Sequence, residues 1–70
     1  MVSCTLFDQE QNTGEFYADT AAELSNLPNL TSSGKAELKN VKAIHAGSTC
    51  LLPNGEVYIL TGNNTWEILG

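Results

Sequence analysis

Apolar and polar positions alternate most regularly in the last third of the chain. Residues 49–52, 57–60 and 65–69 form apolar runs of strand length, and polar clusters separate them around Asn54-Gly55 and over Thr61-Gly62-Asn63-Asn64. An Asn-Gly pair between two apolar runs is the strongest short-range hairpin signal. With Asn54 and Gly55 at the centre of a two-residue turn, Leu52 pairs with Val57, Leu51 with Tyr58 and Cys50 with Ile59. A four-residue loop over residues 61–64 then sets Leu60 opposite Thr65, Ile59 opposite Trp66 and Val57 opposite Ile68. The pattern predicts a three-strand antiparallel meander.

Side chains alternate between the faces of a strand, so this register divides the meander in two. Cys50, Leu52, Val57, Ile59, Trp66 and Ile68 fall on one face, which contains no polar residue and reads as the core. Thr49, Leu51, Tyr58, Leu60, Thr65, Glu67 and Leu69 fall on the other. That second face is too apolar for a solvated sheet, where apolar-in, polar-out alternation is the rule. It therefore asks for a cover, from elsewhere in the chain or from another subunit. Leu51, Tyr58, Leu60 and Leu69 are the expected protein interface. A slip of one residue would exchange the faces.

Upstream, Val2, Cys4 and Leu6 alternate with Ser3, Thr5 and Phe7 as a first strand, and residues 8–14 form a polar loop ending in glycine. Residues 15–18 suit a second short strand. Thr20-Ala-Ala-Glu23 has the spacing of a capping box, which predicts a helix of two turns or fewer with Leu24 and Leu27 on one side, stopped by Pro28. Residues 35–44 fit a helical period through Leu38 and Val41 or a strand through Val41 and Ala43, with extended structure favoured from about Val41. Ala46-Gly47-Ser48 is a turn feeding the meander. The fold class is mainly β with one short α-helix: a small antiparallel sheet built on the C-terminal three-strand meander, in one domain spanning residues 1–70.

Size and charge narrow the function. A chain of 70 residues buries only ~60% of its unfolded surface, and small scaffolds gain stability from disulfides, metals or oligomerisation. Cys4 and Cys50 allow one bridge at most, and two free thiols are the expectation for a product made in a cytosol. The net charge is −5, with eight acidic residues, and the three cations (Lys35, Lys39 and Lys42) are clustered. Nucleic-acid and anionic-membrane binding both rest on Lys and Arg contacts, so neither partner is expected. The N-terminus lacks the basic and apolar regions of a signal peptide, and no segment nears the ~20 apolar residues of a membrane span.

No constellation for chemistry emerges. His45 has no neighbouring carboxylate or nucleophile in the pattern, so a surface or interface role is expected rather than general acid–base work. Cys50 alternates inward as a buried, inert thiol. Asp8, Glu10, Asn12 and Asp19 echo a calcium loop, but Thr13 occupies the sixth position, where that loop requires glycine. Ser33-Gly-Lys-Ala lacks the spacing glycine and the Ser/Thr of a phosphate loop. Trp66 reads as a core anchor, and Tyr58 lies on the opposite face from it. No catalytic, metal or cofactor residues are assigned.

The order Tyr17-Ala-Asp-Thr-x-x-Glu-Leu-x-x-Leu-Pro28, Ala46-Gly-Ser-Thr49, Val57-Tyr-Ile-Leu60 and Asn64-Thr-Trp-Glu-Ile-Leu69 resembles a group of short bacteriophage virion-associated proteins of head-fibre or capsid-accessory type. The resemblance covers roughly residues 16–69, and Thr65 departs from it, since those proteins usually carry glycine or a charged residue before the tryptophan. It implies a non-enzymatic structural protein: a capsid decoration, head-fibre or head–tail accessory subunit on the outer surface of the virion. Such a subunit is made in the host cytoplasm and assembles with its own copies, as a trimer or larger, or with the major capsid or tail protein. The alternative is a small acidic phage-encoded inhibitor that binds a host protein through residues 8–23.

Overall fold

A computed structural model describes residues 1–36, 38 and 41–69. The chain is mainly β with one short helix. Its strands are β1 (Val2–Asp8), β2 (Thr13–Ala18), β3 (Thr49–Leu51), β4 (Val57–Leu60) and β5 (Trp66–Ile68), and they form one sheet in the order β1-β2-β3-β4-β5. The C-terminal meander is present as β3-β4-β5. The N-terminal hairpin joins it by a parallel pairing of β2 with β3, so the sheet is mixed. A parallel pairing needs a crossover connection, and residues 19–48 supply it. Among the described residues this crossover contains one helix, Ala21–Asn26, and its described residues lie across one face of the sheet, where Leu27, Ala36 and Ile44 pack with Phe16, Cys50, Leu52 and Leu60.

That helix is a 3-10 helix rather than the α-helix expected from the capping box. Thr20 stands at its N-cap with extended backbone and no side-chain cap bond. Glu23 N–H donates to the Thr20 carbonyl at 3.1 Å and Leu27 N–H to the Leu24 carbonyl at 3.2 Å, the i to i+3 spacing of the tighter helix. The Glu23 carboxylate turns elsewhere: it accepts from Asn26 Nδ2 at 2.8 Å and meets the Met1 amino group at 3.1 Å. Residues 41–46 hold no strand, and the helical alternative over residues 35–44 falls partly on Glu37, Lys39 and Asn40, outside the described residues.

Both meander turns have three-residue loops, which corrects the register read from the sequence. Gly55 N–H donates to the Leu52 carbonyl, and Leu52 N–H to the Glu56 carbonyl, so Pro53 and Asn54 form the centre of a turn and Gly55 follows it at φ 91°. Asn64 N–H donates to the Thr61 carbonyl, Thr61 N–H to the Thr65 carbonyl, and Asn64 stands at φ 64°. A type I turn closed by a left-handed residue is the usual three-residue hairpin loop, and glycine or asparagine supplies the positive φ. Cys50 therefore faces Tyr58, Leu51 faces Val57, and Leu60 faces Trp66. The expected two-residue and four-residue loops err by one in opposite directions. Only β4 is inverted as a result, while β3 and β5 keep their expected faces.

The consequence for the core is direct. Leu60, expected at an outer interface, is 1% exposed on the covered face. Tyr58 is half-buried on that same face, and Val57 and Ile59 lie on the opposite one. β1 carries a second correction. A bulge at Thr5 sets Leu6 opposite Glu15 and Phe7 opposite Gly14, so Phe7 joins Val2 and Cys4 on the core side while Leu6 is 61% exposed. Gly14 leaves room for the core ring of Phe16: a Cβ there would lie 2.7 Å from Phe16 Cζ. Phe16 meets Trp66 edge to face with ring centroids 6.2 Å apart, although their strands are three spacings (about 14 Å) apart in a flat sheet. The sheet must curl toward its covered face.

Leu60 and Leu51 now make a diagnostic pair. Leu60→Ala is expected to cost ~2–5 kcal/mol in urea unfolding, the range for a buried leucine, and Leu51→Ala under ~1 kcal/mol. Equal losses at both sites would contradict this register.

Candidate docking face

The face of the sheet turned away from the crossover is built by the register alone. Tyr17 lies beside Leu51, Leu51 beside Val57, and Leu69 N–H donates to the Val57 carbonyl at 2.7 Å, which extends the row to Leu69. Three strand side chains and Leu69, just past β5, thus form one apolar row. The next row runs Leu6, Glu15, Thr49, Ile59 and Glu67. At the far end of the face, the hydroxyls of Thr61 and Thr65 lie 2.8 Å apart and Thr65 donates to Glu67 Oε2 at 2.9 Å. The face is apolar at one end and polar at the other. Leu51 is 46% exposed and Leu69 58%.

Of the four residues expected at an interface, Leu51 and Leu69 lie on this open face, whereas Leu60 and Tyr58 lie on the covered side. Tyr17, Val57 and Ile59 belong to the face, and sequence reasoning missed them. Tyr17 was invisible because the parallel β2–β3 pairing that brings it beside Leu51 leaves no local signal. Val57 and Ile59 followed from Pro53, which at the first central position of a turn marks the three-residue loop. A groove of about 260 Å3 runs along the face between Thr5, Glu15, Tyr17, Thr49, Leu51 and Val57.

The residues weighed for chemistry serve the fold. His45 Nδ1 lies 2.9 Å from the Gln11 carbonyl, and the His45 backbone N–H donates to the Asn12 carbonyl at 2.9 Å. Asn12 Nδ2 donates to the Ala43 carbonyl at 2.8 Å, so this cluster clasps the end of the crossover to the β1–β2 turn. Ser48 is buried with its hydroxyl spoken for: it accepts from Gly14 N–H at 3.0 Å and donates to the His45 carbonyl at 3.0 Å. Trp66, half-buried against the core, donates from Nε1 to the Pro28 carbonyl at 3.1 Å.

The acidic residues of the calcium-loop pattern do not converge. Asp8 Oδ1 accepts from the Glu10 and Gln11 amides in the first turn, while Asp19 pairs with the Met1 amino group at 3.3 Å beyond the other end of β2. Among the described residues no three His, Cys, Asp or Glu side chains gather as metal ligands. A cavity of about 520 Å3 lies beside Met1, Cys4, Glu23 and Lys35. Glu23 there is held below the usual carboxylate range by Asn26 and then by the amino terminus, and burial raises the Cys4 thiol. No helix among the described residues is long and apolar enough to cross a membrane. Comparison with family models, curated proteins and solved structures returned no match to this chain.

Cys4 and Cys50 flank Phe16 in one row, on strands two spacings (about 10 Å) apart. That exceeds the ~7 Å limit for bridging Cα atoms, and both thiols are free. Burial pushes the Cys50 thiol from a free value of 9.0 up to about 11. A thiol reagent at mildly alkaline pH should therefore leave Cys50 unmodified until the chain unfolds. Since the folded value is the higher one, the thiol's contribution to stability is full below pH 9.0 and declines between there and about 11. A native-state Cys4–Cys50 bridge, or rapid labelling of Cys50, would contradict this placement.

Proposed function

We propose that this chain is a non-enzymatic assembly subunit, a small accessory structural protein on the outer surface of a bacteriophage particle, and that it docks through the open face of its sheet. The observation that carries the reading is the row Tyr17, Leu51, Val57 and Leu69, apolar along its length and uncovered by any described residue. Continuous apolar surface of this kind marks interaction sites in soluble proteins. The bacteriophage setting rests on the resemblance over roughly residues 16–69. The net charge of −5 suits the outside of a shell better than its nucleic-acid interior.

The larger shell protein is the preferred partner over face-to-face pairing of two copies. A two-fold pairing about an axis along the strands would oppose Glu15 and Glu67 of one copy to the same row of the other, and like charges brought together out of water repel. The inhibitor reading has less support. Residues 8–23 do not form one acidic surface, because Asp8 and Asp19 lie at opposite ends of β2 and each is engaged locally.

Particles purified from the virus that encodes the chain are expected to contain it in fixed ratio to the main shell protein. Particles carrying Leu51→Asp should lose it while the isolated variant still folds. Absence of the chain from purified particles, or full retention of the Leu51→Asp variant, would sink the proposal.

A further inference from the structure

We infer that the groove on the open face receives an arginine side chain from a partner protein, with Glu15 as its counter-charge; this rests on the docking reading above. The groove joins two unlike walls. Tyr17, Leu51 and Val57 form an apolar wall, and Glu15 and Thr49 in the adjacent row form a polar one. Thr5 at the bulge closes the end beside Glu15, donating its hydroxyl to the Glu15 carbonyl at 3.1 Å. The Glu15 carboxylate accepts no hydrogen bond and makes no ion pair among the described residues. A long basic side chain matches this arrangement, its methylene stem on the apolar wall and its charged head at the carboxylate. Arginine suits it better than lysine. Its planar head pairs with a carboxylate through two parallel bonds, stacks on an aromatic face such as Tyr17, and is less strongly hydrated.

The charge layout says that the arginine comes from a different protein. The chain's three cationic side chains are lysines and it contains no arginine, and its amino terminus is paired with Asp19 and Glu23. Lys35 and Lys42 lie on the crossover, which covers the opposite face of the sheet, and Lys39 is outside the described residues. The charged residues of the open face, Asp8, Glu15 and Glu67, are all acidic. The partner surface therefore presents arginine within an apolar patch, complementary in both polarity and charge.

The test uses the whole chain, isotope-labelled, titrated with three short strand-forming peptides that alternate leucine with arginine, with glutamate or with serine. The leucine–arginine peptide should shift the backbone amides of Tyr17, Thr49, Leu51 and Val57 and bind roughly tenfold more tightly than the leucine–serine peptide, as one charge-assisted pair implies. Glu15→Gln should remove that advantage and leave leucine–serine binding unchanged. Glu15 is exposed, so the variant's spectrum away from the groove should be native. Equal affinity for the arginine and serine peptides, or an unchanged advantage in Glu15→Gln, would overturn the arginine site while leaving docking intact if Leu51→Asp still empties the particles. Peptide shifts confined to the crossover or to the cavity beside Met1 would also overturn it. So would a concentration-dependent dimer in light scattering that is lost in Lys42→Ala, since a second copy would then supply the cation. If no peptide moves the open face and the Leu51→Asp variant is retained in particles, both readings fall.

Discussion

The parallel pairing of β2 with β3 governs the rest of the molecule. Hairpins on either side form locally, but joining them in parallel forces the chain out of the sheet and back across it. Residues 19–48 make that journey and bring Leu27, Ala36 and Ile44 onto one face as its cover. A single crossover covers a single face, so closing the core and leaving the other face open are the same event. Polar bonds secure the cover at both ends. Leu30 N–H donates to Asn64 Oδ1 at 2.7 Å and Trp66 Nε1 to the Pro28 carbonyl at one end, while Asn12, His45 and Ser48 hold the other. Because no buried side-chain nitrogen or oxygen among the described residues lacks a partner, a crossover with little regular structure can lie against the sheet without the cost of orphaned polar side chains.

The strands of the meander were legible in the sequence, but the orientation of the middle one was not. Val57-Tyr58-Ile59-Leu60 is apolar at all four positions, so its own pattern carries no information about which side faces inward. Orientation then depended on loop length. Asn54-Gly55 reads as a two-residue turn, yet Pro53 before it and Gly55 in a left-handed conformation belong to the three-residue form. Asn64 does in the second turn what Gly55 does in the first. β1 failed for a similar reason: Leu6 and Phe7 are both apolar, so a bulge at Thr5 can hand the core position from one to the other without disturbing the pattern. In each place sequence reasoning failed where consecutive apolar residues erased the period of two.

The open face was legible only through strands whose parity survived. Leu51 and Leu69 were found because β3 and β5 kept their expected orientation. Leu60 was misplaced with β4, and Tyr17 depended on a neighbour more than thirty residues away in sequence, at Leu51. The charge argument was legible throughout, since the absence of arginine and the clustering of the lysines are properties of composition. What the fold adds is placement: it puts Lys35 and Lys42 on the crossover and, among the described residues, leaves only carboxylates as the charged groups of the open side.

The same face contains its own control. At one end, Thr61, Thr65 and Glu67 form a chain of side-chain hydrogen bonds in contact with water, which is how a solvated sheet surface is built. One row further along, the same strands present Val57 and Leu69, with Leu51 and Tyr17 continuing the line. Strand propensity does not explain the difference, because threonine is as suited to a strand as valine, and packing within the chain does not explain it, because nothing described lies over that row. A chain of 70 residues with little core to spare leaves one row of a sheet face apolar and outward. No described residue covers that row, and the docking proposed above would supply the missing cover.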